Sequence, residues 1–126
     1  MVEKGLRVAL FGRFCSEDTE SIEAQKDKLR EEAKRRNYTI VDEFWEEDLP
    51  IDASLDDRFA MKRFIHSVWA DELNIDGLFL PDIASLGWNS RREHVTLTML
   101  FEHNDITLIT LDEIYDPNDW MAGLSF

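Results

Sequence analysis

Apolar and polar positions change period several times along the chain. Residues 6–11, Leu-Arg-Val-Ala-Leu-Phe, make a short apolar run of the kind a buried strand shows, and Gly12 reads as its end. Over residues 19–36 the spacing becomes helical. Ile22, Leu29 and Ala33 share one face, Asp18 or Ser21 is placed to cap the start, and Asn37 to stop the helix. Residues 38–45 read as a second strand, and 46–57 as a loop around Pro50. A second helix is expected over 58–70, with Phe59, Arg63 or Phe64, Ile65 and Val68 as a mixed inner face. Residues 75–80 form a third strand stopped by Pro81. A helix follows from about Asn89 to His103, and 106–111 has the β-branched content of a strand.

Strands and helices thus alternate four times at short connections. The pattern predicts one α/β domain, with a mostly parallel sheet of four to five strands flanked by helices and right-handed crossovers. The domain is assigned to 1–113, and 114–126 is expected to be an irregular tail or a short docking segment. Ligands and chemistry collect at the carboxyl ends of such strands, which makes loops 12–18, 46–57 and 81–89 the candidate site.

Charge narrows the function. Twenty-seven acids face fourteen Lys and Arg, for a net charge of −13. Such a surface repels a phosphate backbone, so direct DNA binding by this chain alone is expected to be weak or absent, and a polybasic membrane patch is not expected. The basic cluster Lys26, Lys28, Arg30, Lys34, Arg35 and Arg36 is interleaved with Asp27, Glu31 and Glu32, the pattern of a solvated, salt-bridged helix face. A single cysteine leaves no internal disulfide framework and no multi-cysteine zinc site. His66, His94 and His103 are scattered, so no metal is expected. Five glycines never form a spaced phosphate loop, which argues against a nucleotide-binding reading, and no cofactor is expected. No apolar run approaches the ~20 residues of a membrane span. Residues 1–5 lack the apolar stretch of a secretory signal, and a cytoplasmic location is the expectation.

An ordered set of segments then carries a family resemblance. The stretch from Arg7 through Phe11-Gly12-Arg13-Phe14-Cys15-Ser16 to Asp18 resembles the first strand and catalytic loop of the serine recombinases, the resolvase/invertase family. Ser21 to Lys26 matches the start of the family's first helix, including Gln25. Arg36 to Glu43, Leu55 to Arg58, Asp76 to Leu80, Leu86 to Asn89 and Leu108 to Asp112 continue the register. The resemblance implies a flavodoxin-like resolvase catalytic-domain fold. It also implies DNA transesterification: a Ser hydroxyl attacks a phosphodiester while Arg residues stabilise the charge that develops.

Carried over position by position, the resemblance keeps Arg13, Gln25 and Arg58 as the catalytic set, with Cys15 at the nucleophile position in place of Ser. The family's Asp and two Arg of the third-strand loop become Ala84, Ser85 and Trp88. The Ser-Gly pair of the acidic loop is absent, with Ile51-Asp52 near its place. Each lost charge-stabilising donor typically costs about 10²–10³ in rate. Sulfur is also a softer nucleophile than phosphorus prefers. The expectation is a degenerate recombinase domain that acts through protein contacts, with a related recombinase as the partner class. In the competing reading, Cys15 serves as the nucleophile of an active strand-exchange domain, and the missing DNA-binding region is supplied elsewhere.

The individual residues carry their own alternatives. Cys15 follows a strand beside Arg13, a setting that activates a thiol, or it is an inert small replacement for Ser. Gln25 contacts a phosphate or orients loop 12–18. Arg13 and Arg58 form a vestigial anion site or pair with the six acids of 46–57. Trp88, with Ser85 and Ala84, forms a protein-binding patch, or Trp88 folds over an emptied site.

Overall fold

The first strand, β1 (Arg7–Phe14), buries Val8, Ala9, Leu10 and Phe11 completely. Side chains alternate between the faces of a strand, so four buried neighbours require cover on both sides. The computed structural model, which describes residues 6–50, 53–86 and 91–115, provides that cover. One helix, α1 (Ile22–Arg35), lies on one face, and two, α2 (Phe59–Trp69) and α3 (Arg91–His103), lie on the other. The remaining strands are β2 (Thr39–Glu47), β3 (Gly77–Phe79), β4 (Thr107–Ile109) and β5 (Ile114–Tyr115). Their order across the sheet is β2-β1-β3-β4-β5. The first four run parallel, as expected, and β5 pairs antiparallel with β4. The sheet therefore reaches Ile114 and Tyr115, which the sequence pattern places in an irregular tail; the rest of that tail lies outside the described residues. Among the described residues no helix is long and apolar enough to cross a membrane.

Two expected boundaries shift for identifiable reasons. Gly12 does not end β1, which pairs with β2 as far as Phe14 opposite Glu47. A Cβ at Gly12 would lie 2.4 Å from Cζ of Phe14 and 3.0 Å from Cζ3 of Trp45. Those two rings pack with centroids 5.6 Å apart, and the glycine makes room for them. In α2 the buried stripe is Met61, Phe64 and Val68, at the i, i+3, i+7 spacing of one helix face. Phe59 falls off that stripe and is 78% exposed, and Arg63 is exposed too, so neither belongs to the inner face.

Helix ends follow a shared device. Ser21 caps α1, its Oγ accepting from the Ala24 amide at 3.1 Å. At the other ends, Asn37, Asp71 and Asp105 take left-handed backbone with φ of 64°, 61° and 55°. The next amides then turn back onto the helices: Tyr38 to Ala33, Glu72 to Ser67 and Ile106 to Phe101, at 2.9, 2.9 and 3.0 Å.

As an edge strand, β2 has one open side. The Asp48 amide donates to the Phe14 carbonyl at 2.8 Å, which fixes the alternation just before it. Phe44 and Glu46 turn their backbone groups towards β1, while Glu43, Trp45 and Glu47 turn theirs outward. At Glu43 both outward groups are taken by side chains. Its amide donates to Asp42 Oδ1 at 2.7 Å, and its carbonyl accepts from Arg63 Nη2 at 2.8 Å. Arg63 also pairs with Asp42 at 3.1 Å and lies 4.1 Å over the Phe44 ring.

Candidate active site

The strand order reverses between β1 and β3, so the crevice beyond their carboxyl ends is where a doubly wound sheet places its chemistry. Here β1 delivers Arg13 and Phe14, and Cys15 follows as the first residue beyond the strand. Cys15 is free and half-buried. Its carbonyl accepts from the Asp18 amide at 3.1 Å, which starts a turn, and α1 begins only at Ile22. Residues 16–21 separate the thiol from the first turn of α1.

An acid occupies the space in front of Cys15. Asp48 adopts left-handed backbone, φ 56°, at the end of β2, which swings its carboxylate back across β1. Oδ1 accepts from the Ser16 amide at 2.7 Å and from Ser16 Oγ at 2.9 Å. These donors, the backbone one foremost, with a smaller contribution from Cys15, hold the carboxyl below its ordinary range. It is therefore an anion at neutral pH, held against Ser16 and beside Cys15. The sequence pattern counts Asp48 among six loop acids and gives no sign of this placement, because the turn depends on a backbone angle uncommon outside Gly, Asn and Asp.

The two retained cations come close to each other and are both occupied. Arg58 precedes α2 and makes no side-chain cap for it. Its side chain instead turns inward and is 0% exposed. Nε donates to both carboxylate oxygens of Glu46 at 3.0 Å, and Nη2 donates to Oε1 at 2.7 Å. Glu46, itself 3% exposed, is the last inward-facing residue of β2 rather than a member of the loop. Arg13 donates through Nη2 to the Pro50 carbonyl. Its guanidinium is shifted below its ordinary pKa, first by burial, then by the nearby Arg58 charge, against the pull of Glu46. The expected pairing of both arginines with local acids thus holds for Arg58, while Arg13 takes a backbone carbonyl.

Gln25 sits beside the buried face of α1, which runs through Lys26, Leu29 and Ala33. Its Nε2 donates to the Glu20 carbonyl at 3.1 Å, tying down the segment that leads from the Cys15 turn into the helix. Lys26 is the cation that α1 sends inward. It pairs with Glu47 at 2.7 Å and Glu23 at 3.3 Å, and its Nζ lies 5.6 Å from the Trp45 ring centroid.

On the third loop, Ser85 is 7% exposed, and its amide and hydroxyl donate to Asp82 Oδ1 at 3.1 and 3.2 Å. Ser85 is buried and closes this turn. Ala84 lies in the same 3₁₀ turn, Ile83–Leu86, but its side chain falls outside the described part, as do Trp88 and Ile51-Asp52.

Sheet order and the loops at the carboxyl ends of β1 and β3 define a doubly wound α/β domain. The sequence model described as Resolvase, N terminal domain, matches residues 8–126. The chain belongs to this family. Among solved structures, it is similar to the N-terminal catalytic domain of TP901-1 integrase, with a TM-score of 0.69 and 24% identity over 91% of this chain and 84% of that one. A resolvase family site-specific recombinase from Streptococcus pneumoniae aligns with a TM-score of 0.59 and 16% identity, over 85% of this chain and 72% of that one. The C-terminal catalytic domain of ISC1926 TnpA, an IS607-like serine recombinase, aligns with a TM-score of 0.64 and 16% identity, over 86% and 71%. No curated protein matches the chain.

Proposed function

We propose that this resolvase-family domain has lost DNA strand cleavage and acts through protein contacts, with a related recombinase as the partner class. The observation that carries the reading is the Arg58–Glu46 pair. The cation that the resemblance assigns to the scissile phosphate is fully buried and already holds a carboxylate through three hydrogen bonds. Releasing it to a phosphate would strand a buried anion, which is costly. Arg13 is engaged at Pro50, and the Asp48 anion beside Cys15 repels a phosphodiester. Ala84, Ser85 and Trp88 supply none of the charge that three family positions carry.

The second reading, an active domain with a Cys nucleophile, is favoured by one feature: Cys15 is half-buried rather than sealed, at the carboxyl end of β1. A nicked suicide DNA substrate that traps covalent intermediates separates the two. The expected result is no adduct by denaturing electrophoresis and intact-mass measurement. An adduct lost in Cys15→Ala but kept in Ser16→Ala would overturn the proposal.

A further inference from the structure

The open side of β2 is not uniform. At Glu43 it is closed by Asp42 and Arg63. Two and four residues later, at Trp45 and Glu47, the outward backbone groups meet no such cap among the described residues. There the strand borders a groove lined by Glu47, Leu49, Asp57, Phe59 and Ala60. Phe59 is 78% exposed, an unusual state for a phenylalanine on the first turn of a helix. Asp56 and Asp57 are exposed beside it, and Glu47 contributes its backbone edge while its carboxylate holds Lys26 at 2.7 Å. One cation already lies nearby, Lys62, 6.0 Å from the Phe59 ring centroid.

We infer that this groove receives a short, extended, basic segment of a partner protein, which adds a strand to β2 at Trp45 and Glu47. An edge strand offers main-chain donors and acceptors at every second residue, and flanking pockets select alternate side chains. The Asp42–Arg63 cap ends the available edge, so the added strand spans only a few residues. Phe59 and Leu49 form an apolar seat for one side chain. Asp56 and Asp57, both exposed, fit a Lys or Arg beside it, while the Glu47 carboxylate stays on Lys26, and the chain's −13 charge favours the approach of a basic partner. The inference gives a location and a chemistry to the contact-mediated reading above, and rests on it only for biological meaning. Covalent trapping tests Cys15 chemistry, whereas the experiment below tests the groove, so either can fail alone.

The test is a titration of the ¹⁵N-labelled full chain, by amide NMR, with the peptide acetyl-Val-Lys-Leu-Arg-amide. Three controls accompany it: the same peptide N-methylated at alternate residues, acetyl-Val-Glu-Leu-Glu-amide, and the full chain carrying Phe59→Ser or Asp57→Asn. Expected are saturable shifts confined to Trp45, Glu47, Leu49, Phe59 and Ala60. Affinity should fall at least tenfold on N-methylation and on Phe59→Ser, and severalfold with Asp57→Asn or between 50 and 300 mM salt. The acidic peptide should not bind. An equal response to the N-methylated peptide, or shifts spread over the acidic surface without saturation, would overturn the inference. So would concentration-dependent shifts of these residues without peptide, which would assign the groove to a second copy of the chain. Both variants substitute exposed side chains, and an unchanged spectrum away from the groove confirms that they fold.

Discussion

Arg58 and Glu46 hold each other through three hydrogen bonds at the carboxyl end of the sheet, with neither side chain more than 1% exposed. The pair locks the first residue before α2 to the end of β2. Glu46→Gln keeps the shape but leaves the guanidinium without its counter-charge, so it should cost about 3–5 kcal/mol, the usual range for one partner of a buried pair. The double replacement Glu46→Leu with Arg58→Met should recover much of that loss, because it removes both desolvation penalties. Urea unfolding of the two variants and the parent checks both statements.

Gly12→Ala should destabilise the domain by about 1–3 kcal/mol, the typical cost of overfilling a packed site. The added Cβ meets the Phe14 ring at 2.4 and 2.6 Å, and that ring is buried against Trp45. The tryptophan's near-ultraviolet circular dichroism should change along with the unfolding midpoint. A drop in stability with an unaltered aromatic spectrum would mean that the strain goes elsewhere.

Acid sensitivity should centre on α1. Glu32 accepts from Arg35 and Arg36, and these bonds hold its carboxyl at about 2, well below its ordinary 4.5. A folded-state pKa below the unfolded one means that the unfolded chain binds the proton more readily. The stabilisation is therefore complete above about pH 4.5 and is lost as pH falls towards about 2. Glu32→Gln should flatten that part of the stability curve and leave the neutral-pH slope unchanged, as read from urea midpoints across the acid range.

Arg63→Ser should convert a closed edge into an open one. It removes the donor to the Glu43 carbonyl and the partner of Asp42, and uncovers the Phe44 ring. The pair is exposed, so the stability loss should stay within about 1 kcal/mol. Self-association should increase more clearly, because an uncapped edge strand templates pairing. Sedimentation velocity over a range of concentrations measures it.

Most of the architecture was legible in the sequence because hydrophobic period is a local signal. The runs at 6–11 and 106–111 and the spacing of Ile22, Leu29 and Ala33 announce strands and a helix without further help. The errors arise where a tertiary contact decides. Gly12 reads as a stop on its own, and only the packing of Phe14 on Trp45 explains why β1 runs through it. Phe59 reads as core by composition, but the stripe that starts at Met61 leaves it outside. Around the site, the resemblance groups Arg13, Cys15 and Arg58. It does not say that Glu46 faces inward or that Asp48 turns its carboxylate onto Ser16. Both follow from strand register and one backbone angle, which residue types alone do not encode.

Three helices in this chain stop on Asn37, Asp71 and Asp105, where many proteins use glycine, and Asp48 reverses the chain in the same conformation. With five glycines in 126 residues, aspartate has taken over part of the work of chain reversal. At Asp71 and Asp105 the negative charge is therefore a by-product of backbone geometry. Asp71→Gly and Asp105→Gly would make the chain less acidic while keeping every reversal intact. The charges left to distinguish one binding surface from another are those that remain after that subtraction.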